Sequence, residues 1–261
     1  MPAPLNLLKQ KLSRGEFSAG CWLSLTSAPV AEALAHCGFD WLLIDAEHGP
    51  NDIQNVFAQL QAIDAARSRG ASAQAVVRVS WNNAALVKRM MDCGAQTIMF
   101  PGIETAKEAA HAVASTRYPQ ENNHGIRGIS SVVRAGMYGL DRTYTSTANA
   151  QAGVIVQVES PKGFTNIASI AATEGVDCVF VGTADFAANM GHLGNATHTD
   201  VQTAIAYITA VCVQHGKAVG VYAPDAEVAK RYRDLGINFI ALHSDVVWLT
   251  RGACAVIDAM K

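Results

Sequence analysis

Residues 153–185 read GVIVQVESPKGFTNIASIAATEGVDCVFVGTAD. Two apolar runs, GVIVQVE at 153–159 and VDCVFVG at 176–182, enclose a helical stretch. Continuous apolar runs, rather than alternating ones, suit strands buried on both faces, as parallel strands are. Between them Ser160 offers an N-cap, Pro161 a first helical position, and Gly175 a stop for a helix reaching Glu174. The unit is strand–helix–strand. Each strand ends near a carboxylate, Glu159 after the first and Asp185 past the second.

The same rhythm extends in both directions. Further apolar runs are GCWLSL at 20–25, WLLIDA at 41–46, AVVRV at 75–79, TIMFP at 97–101, AVGVYA at 218–223 and FIALHS at 239–244. Helical patterns fall between them. Residues 52–67 place Ile53, Val56, Phe57, Leu60 and Ile63 on one face, and Asn82 or Asn83 caps a helix running to Cys93 before Gly94. Residues 200–215, 225–235 and 245–260 complete the helical set. This alternation predicts an α/β chain, a single (β/α)8 TIM barrel over residues 1–261, with a short amphipathic helix in MPAPLNLLKQKLSRGEF ahead of it. A doubly wound open sheet is the alternative, but its glycine-rich first turn is missing. One stretch breaks the rhythm: residues 117–151 are polar and glycine-bearing, and an insertion of that length between the fourth and fifth strands points to function.

Half of the 261 residues are hydrophobic and 16% are charged, which permits a large core. The net charge of −2 and the lack of any basic or basic–aromatic stripe argue against nucleic acid as a partner. No apolar stretch is long enough for a membrane span, and the N-terminus lacks a signal-peptide core, so a cytoplasmic location is expected. Cys21, Cys37, Cys93, Cys178, Cys212 and Cys254 form no CxxC pair and read as buried, reduced thiols.

In such a barrel the active site gathers where the strands end. Gln157 and Glu159 are two apart and point to the same side. Glu159 and Asp185 offer oxygen ligands of the kind a hard divalent ion such as Mg2+ or Mn2+ takes. The competing reading makes them caps or ion-pair partners, with Asp185 capping a helix that opens at Phe186. After WLLID, Asp45 and Glu47 share a face and His48 opens the loop; a histidine there is a candidate general base, or else a solvated loop residue. Arg78 interrupts an apolar strand. A buried guanidinium needs an anionic partner, either a structural acid or a substrate oxyanion, and the polar neighbours favour the oxyanion. No lysine (9, 11, 88, 107, 162, 217, 230, 261) falls inside a predicted strand, which argues against imine chemistry and for a metal as electron sink. His36, His111, His124, His192, His198 and His215 show no HExxH or paired ligand spacing and read as structural or surface residues, and GHLGNATH at 191–198 as loop geometry. His243, closing the eighth run, is placed to face the cavity.

With these residues in hand, the chain resembles the HpcH/HpaI family of class II pyruvate aldolases. FDWLLIDAEHGPND, VVRVSWN, STRYP, GIRG, VQVES, EGVDCVFVGTADFAANMGHLGN and FIALHSD carry the resemblance, in order, over nearly the whole chain. It implies metal-dependent, reversible cleavage of a 4-hydroxy-2-oxo acid, such as 4-hydroxy-2-oxoheptanedioate or 2-dehydro-3-deoxyglucarate, to pyruvate and an aldehyde. Glu159 and Asp185 would hold Mg2+, Mn2+ or Co2+. Arg78 would bind the oxygen that becomes the enolate. His48 would move the proton, directly or through a water that Glu47 steadies, and Asp92 would pair with that base. Gln157 would line the substrate site, and backbone N–H groups around Gly182, Thr183, Ala184 and Asp185 would take the pyruvate carboxylate. Arg127 in GIRG would either bind the distal end of the substrate or order its loop. The family assembly is a hexamer, a trimer of dimers, with the last helix (245–260) swapped between subunits. Departures from the family pattern fall at Ala46, Thr183, Phe186, Asn189 and His243, around the acceptor pocket. The rival readings are a CoA-ester lyase of the citrate-lyase β type, for which no basic cluster is present, and a non-catalytic metabolite-binding oligomer.

Overall fold

The computed structural model describes residues 3–121 and 123–261. Eight parallel strands close on one another in sequence order: β1 Ser18–Leu23, β2 Trp41–Asp45, β3 Gln74–Arg78, β4 Thr97–Phe100, β5 Gly153–Val158, β6 Cys178–Val181, β7 Ala218–Ala223 and β8 Phe239–Ser244. β1 pairs with both β2 and β8, so no edge is left open. Residues of alternate parity fill the tube. Trp22, Trp41, Leu43, Val76, Met99, Ile155, Cys178, Phe180, Phe239 and Ala241 form one interior cluster, and Trp41 stacks on Phe239 with ring centroids 4.0 Å apart. The opposite parity (Leu42, Ile44, Val77, Ile98, Val154, Val156, Val179, Val221, Ile240) packs under the helices. Both faces are therefore apolar, which is why the strands read as unbroken runs.

The N-terminal helix, Leu7–Ser13, is capped by the Asn6 carboxamide and lies under the strand N-termini. Leu8 and Leu12 enter the interior cluster from below. Burying such leucines contributes about 1.5–3 kcal/mol each, enough to hold a two-turn helix in place.

Helix Ile53–Ser68 buries Val56, Leu60, Ile63 and Ala66 and is capped by Asp52. Helix Ala84–Asp92 is capped by Asn83, while the neighbouring Asn82 donates instead to the Glu108 carbonyl. Helices Ala28–Ala35 and Ala106–Thr116 fill two gaps for which the sequence reading had marked no helix. Thr199–Gln214, Ala226–Asp234 and Asp245–Ala259 fall where expected.

Most strand ends shift by a residue or two from the sequence reading, and three differences have an identifiable cause. β1 starts at Ser18 and stops at Leu23, because the Asp245 carboxylate takes the N–H groups of Ser24 and Leu25 (2.9–3.1 Å) away from the sheet. The helix expected over 161–174 breaks at Asn166, which donates to the Glu104 carbonyl, leaving Pro161–Thr165 and Ile167–Ala171. A helix opens at Thr183 rather than Phe186, with Gly182 in the cap position, so Asp185 lies inside its first turn and does not cap it.

The 117–151 stretch contains a 3-10 turn, Arg134–Gly139, and a helix, Tyr144–Gln151. It follows helix Ala106–Thr116 and leads into the start of β5, so it leaves from the barrel end opposite the strand carboxyl ends. Tyr118, Tyr144 and Ala148 pack with Ala3, and Asn149 bonds both ways with the Tyr118 backbone. Within one chain the insertion does not reach the rim where the acids sit.

Candidate active site

The parity that fills the tube with apolar rings changes character at its carboxyl end. Above Leu43, Val76, Ile155 and Phe180, the next inward positions are Asp45, Arg78, Gln157 and Gly182. Asp45 and Arg78 are register partners across β2 and β3. The guanidinium meets the carboxylate side-on, Nε to Oδ1 at 2.9 Å and Nη2 to Oδ2 at 2.7 Å. Both side chains are buried, and the guanidinium lies 5.3 Å from the Trp22 ring centroid. Burial alone would raise the Asp45 pKa. The bonds and charge of Arg78, with the N–H groups of Glu47 and His48, outweigh it and hold the carboxyl below its ordinary range.

Asp45 thus takes two of the three guanidinium nitrogens, and the anionic partner that Arg78 required is a structural acid. The third nitrogen, Nη1, faces the mouth, 3.5 Å from Gln157 Oε1 and 2.8 Å from Glu47 Oε2. The Glu47 contact lies off the N–H direction, so Oε2 is buried without a hydrogen-bond donor.

Glu159 stands just past β5. Its Oε1 accepts from Gly102 N (2.8 Å) and its Oε2 from Gln157 Nε2. Gly102 has φ +62°, a left-handed backbone that turns its N–H onto the carboxylate, and glycine adopts it at no steric cost. Gly182 is needed for a different reason: a Cβ there would lie 2.7 Å from Gln157 Nε2 and 2.9 Å from Glu159 Cβ. Asp185 is exposed in the first turn of helix Thr183–Asn189, and among the described residues its carboxylate makes no hydrogen bond or ion pair.

Glu47, Glu159 and Asp185 are close enough to act on one another. Burial raises the Glu159 pKa, the Gln157 and Gly102 bonds lower it, and the charges of Glu47 and Asp185 raise it again. Burial also raises Glu47, with Arg78 and His48 lowering it and Asp45 and Asp185 raising it. The His48 ring is exposed at the lip, its Nε2 3.9 Å from Glu47 Oε1.

The structure therefore brings Glu47, His48, Arg78, Gln157, Glu159, Gly182 and Asp185 to one rim. The Gly182 N–H bonds to the Val158 carbonyl at 3.1 Å, so it is not free for an anion; the unpaired donors begin at Thr183 and Ala184. Asp92 is not brought to this rim within one chain. It closes helix Ala84–Asp92, which descends from β3 to the opposite end, and pairs with Arg127 (2.8 Å). Arg127 is fully buried, 4.3 Å from the Tyr118 ring centroid, and anchors the insertion rather than a substrate. Sequence reasoning named Asp45 without assigning it a role and did not single out Trp22 or Gly102. Strand parity would have found the first two.

Elsewhere, His192, His198 and Asp200 bring three potential ligand atoms within 4.8 Å. The two rings stack at 3.5 Å and 15°, so their in-plane lone pairs cannot converge on one ion, and His198 Nδ1 already accepts from Asp200 N as a helix cap. Clefts of about 430 Å³ open beside Arg117 and His124 and between Phe164 and Tyr207; neither is lined by the rim residues. Burial pushes the Cys21 and Cys212 thiols up to about 12, which suits inert core residues, whereas Cys37 and Cys254 are exposed, contrary to the expectation of burial throughout. Among the described residues no helix is long and apolar enough to cross a membrane.

Residues 18–251 match the profile of the HpcH/HpaI aldolase/citrate lyase family. The chain belongs to that family. A hydroxypyruvate/pyruvate aldolase of Paraburkholderia phytofirmans is 51% identical over 257 residues, 98% of each chain. A 5-keto-4-deoxy-D-glucarate aldolase of Klebsiella pneumoniae is 44% identical over 256 residues, 98% of this chain and 97% of the relative. A solved HpcH/HpaI family structure from Burkholderia cenocepacia superposes with TM-score 0.95 at 50% identity, covering 98% of this chain and 99% of the other. This HpcH/HpaI member is an enzyme, a carbon–carbon lyase of the aldolase kind.

Replacing Asp45 with Asn should leave the Arg78 charge buried without its bidentate partner. Urea unfolding at pH 7 is expected to show a loss of about 3–5 kcal/mol. Because the folded pKa of Asp45 is depressed, its contribution is complete above about pH 4 and disappears as pH falls through the folded value. The gap between parent and variant should close in that acid range.

Proposed function

We propose that the chain, acting as one barrel domain, catalyses reversible retro-aldol cleavage of a 4-hydroxy-2-oxo acid to pyruvate and an aldehyde, with a divalent ion held by Glu159 and Asp185. The observation that carries this reading is the meeting of three carboxylates, Glu47, Glu159 and Asp185, beside the one guanidinium nitrogen that Asp45 leaves over. The donor set fits a hard cation: all oxygen, mutually repelling, with Asp185 unpaired and Glu47 Oε2 buried without a donor. Mg2+, Mn2+ and Co2+ are the candidates. Such an ion would supply a Lewis acid that draws electron density from the 2-oxo acid.

The chain's own groups supply the rest. His48, at the lip, takes the proton from the C4 hydroxyl; the C3–C4 bond then breaks, its electron pair forming the enolate of pyruvate while the aldehyde departs. His48 then gives that proton, directly or through a water, to C3, which completes pyruvate and leaves the base free. Arg78 Nη1, fixed by Asp45 and Trp22, stabilises the charge that develops on the C2 oxygen, where electrostatic catalysis contributes most. Gln157 holds Glu159 and Arg78 in mutual register. The N–H groups of Thr183 and Ala184 face the pyruvate carboxylate at the opening of their helix. Asp92 lies on the far side of its own barrel, so its expected pairing with the base His48 would have to come from a neighbouring subunit of the proposed hexamer. The relatives named as aldolases for hydroxypyruvate/pyruvate and 5-keto-4-deoxy-D-glucarate support a hydroxylated sugar-acid or diacid substrate over a CoA ester.

The homohexamer, cytoplasmic and with a swapped last helix, belongs to the same proposal. Helix Asp245–Ala259 buries only Asp245 against its own barrel, while Leu249, Val256, Ile257 and Met260 are exposed. Ile129, Val132 and Leu140 of the insertion are exposed as well. A second copy of the chain would cover them.

Pyruvate release from 2-dehydro-3-deoxyglucarate should vanish on chelation and return with Mn2+. In Glu159→Ala it should stay absent, and the rise in thermal midpoint that Mn2+ gives the parent should be lost; activity surviving both would defeat the metal assignment. His48→Ala should slow exchange of the pyruvate methyl protons at least a hundredfold, the scale of general-base catalysis, while keeping the Mn2+ thermal shift. Light scattering should give the mass of six chains, and charged replacements at Val256 and Ile257 should shrink it; a monomeric parent would remove the assembly.

A further inference from the structure

Two side chains on the β7–β8 side of the mouth have no part in the steps above. Tyr222 lies on β7 with the inward parity of Ala218 and Gly220, and is the one position of that strand not fully buried. Its ring meets the Trp22 ring edge-on, centroids 6.0 Å apart, and the same Trp22 ring lies 5.3 Å from the Arg78 guanidinium. Tyr222 is therefore one ring away from the catalytic cation. His243 follows on β8 with φ +61°, the left-handed region. An L-residue with a bulky side chain there costs about 1–2 kcal/mol, which glycine would avoid. The ring is buried, and Tyr222 Oη lies 3.0 Å from its Nδ1. The Trp248 indole, tied to the Leu242 carbonyl at 3.2 Å, packs edge-on against it at 5.5 Å.

We propose that Tyr222 and His243 form a hydroxyl-recognition pair that selects aldehydes bearing a hydroxyl, with Tyr222 touching the substrate and His243 positioning it. This rests on the aldolase reading. Strain of this kind persists where the surroundings over-determine it, and here an imidazole is held in place by the phenol on one side and an indole on the other. The ring's proton placement sets the polarity of the contact. Burial and the Arg251 charge favour the neutral ring, and the Pro224 carbonyl favours an N–H on it. Nε2 is buried without a hydrogen-bond partner, so the ring's one anchored nitrogen is Nδ1. Whichever of Oη and Nδ1 donates across that contact, the phenol keeps a further hydrogen-bonding direction for a substrate hydroxyl, which can both donate and accept. A phenol fixed in that way bonds the hydroxyl of a hydroxyaldehyde and gives nothing to a methyl group in the same place. Burial also raises the Tyr222 pKa and keeps the phenol protonated.

The test compares kcat/KM for pyruvate addition to glycolaldehyde and to acetaldehyde, using the full chain loaded with Mn2+. The parent should favour glycolaldehyde, and Tyr222→Phe should reduce that preference about tenfold, chiefly through the KM of the hydroxylated aldehyde, as loss of one hydrogen bond predicts. His243→Asn, which tolerates the left-handed backbone, should reduce it similarly, and the double variant should lose no more than either alone. His243→Gly, free of backbone strain, gives a folded control without the ring. A parent with no preference, or a preference untouched in Tyr222→Phe, would overturn the pair's role and leave it a packing contact. Absence of pyruvate methyl proton exchange in the parent would overturn the aldolase reading, and the pair's role with it.

Discussion

The rim depends on the side-on bond between Arg78 and Asp45. A guanidinium inside a barrel of Trp, Phe, Ile and Val is tolerable only with a fixed counter-charge, and the register of β2 against β3 places one directly opposite. That bond commits two nitrogens and aims the third. It also fixes Glu47 and Gln157, both of which approach Nη1, and through Gln157 it reaches Glu159. A lysine could not replace Arg78, since a single ammonium has no fork to divide between a structural acid and a reacting oxygen.

The acids around it are under opposite pressures. Asp45 is held ionised by its partner, whereas Glu47 and Glu159 are pushed towards neutrality by burial and by neighbouring carboxylates. Such a divergence between neighbouring carboxyls marks a site built for a further positive charge or a moving proton. Glycines make the crowding possible. Gly182 leaves room for the Glu159 and Gln157 side chains, and Gly102 turns an amide onto a carboxylate.

Most of the barrel was legible in the sequence because parallel strands buried on two faces leave unbroken apolar runs, and because Asp52, Asn83 and Ser160 mark helix starts. What was not legible depends on contacts distant along the chain. β1 ends where it does because of Asp245, and the 161–174 helix breaks because Asn166 finds Glu104. The oxyanion role favoured for Arg78 had to be divided with Asp45, since pairing across strands cannot be read from one strand. Asp92 was matched to a base by motif; within one chain helix direction carries it to the other end and to Arg127, a separation that no motif reveals. His243 was placed at the mouth by position alone; its backbone strain and its bond to Tyr222 needed coordinates.

Leu8 and Leu12 stopper the barrel from beneath. A vessel closed at its base has a single doorway, and traffic through it is last in, first out. On the aldolase reading, the fragment seated against Arg78 lies deepest, so the aldehyde must clear the passage before pyruvate can follow. A barrel packed solid beneath Arg78, with the two leucines as its lowest layer, would thus set the order in which the products depart.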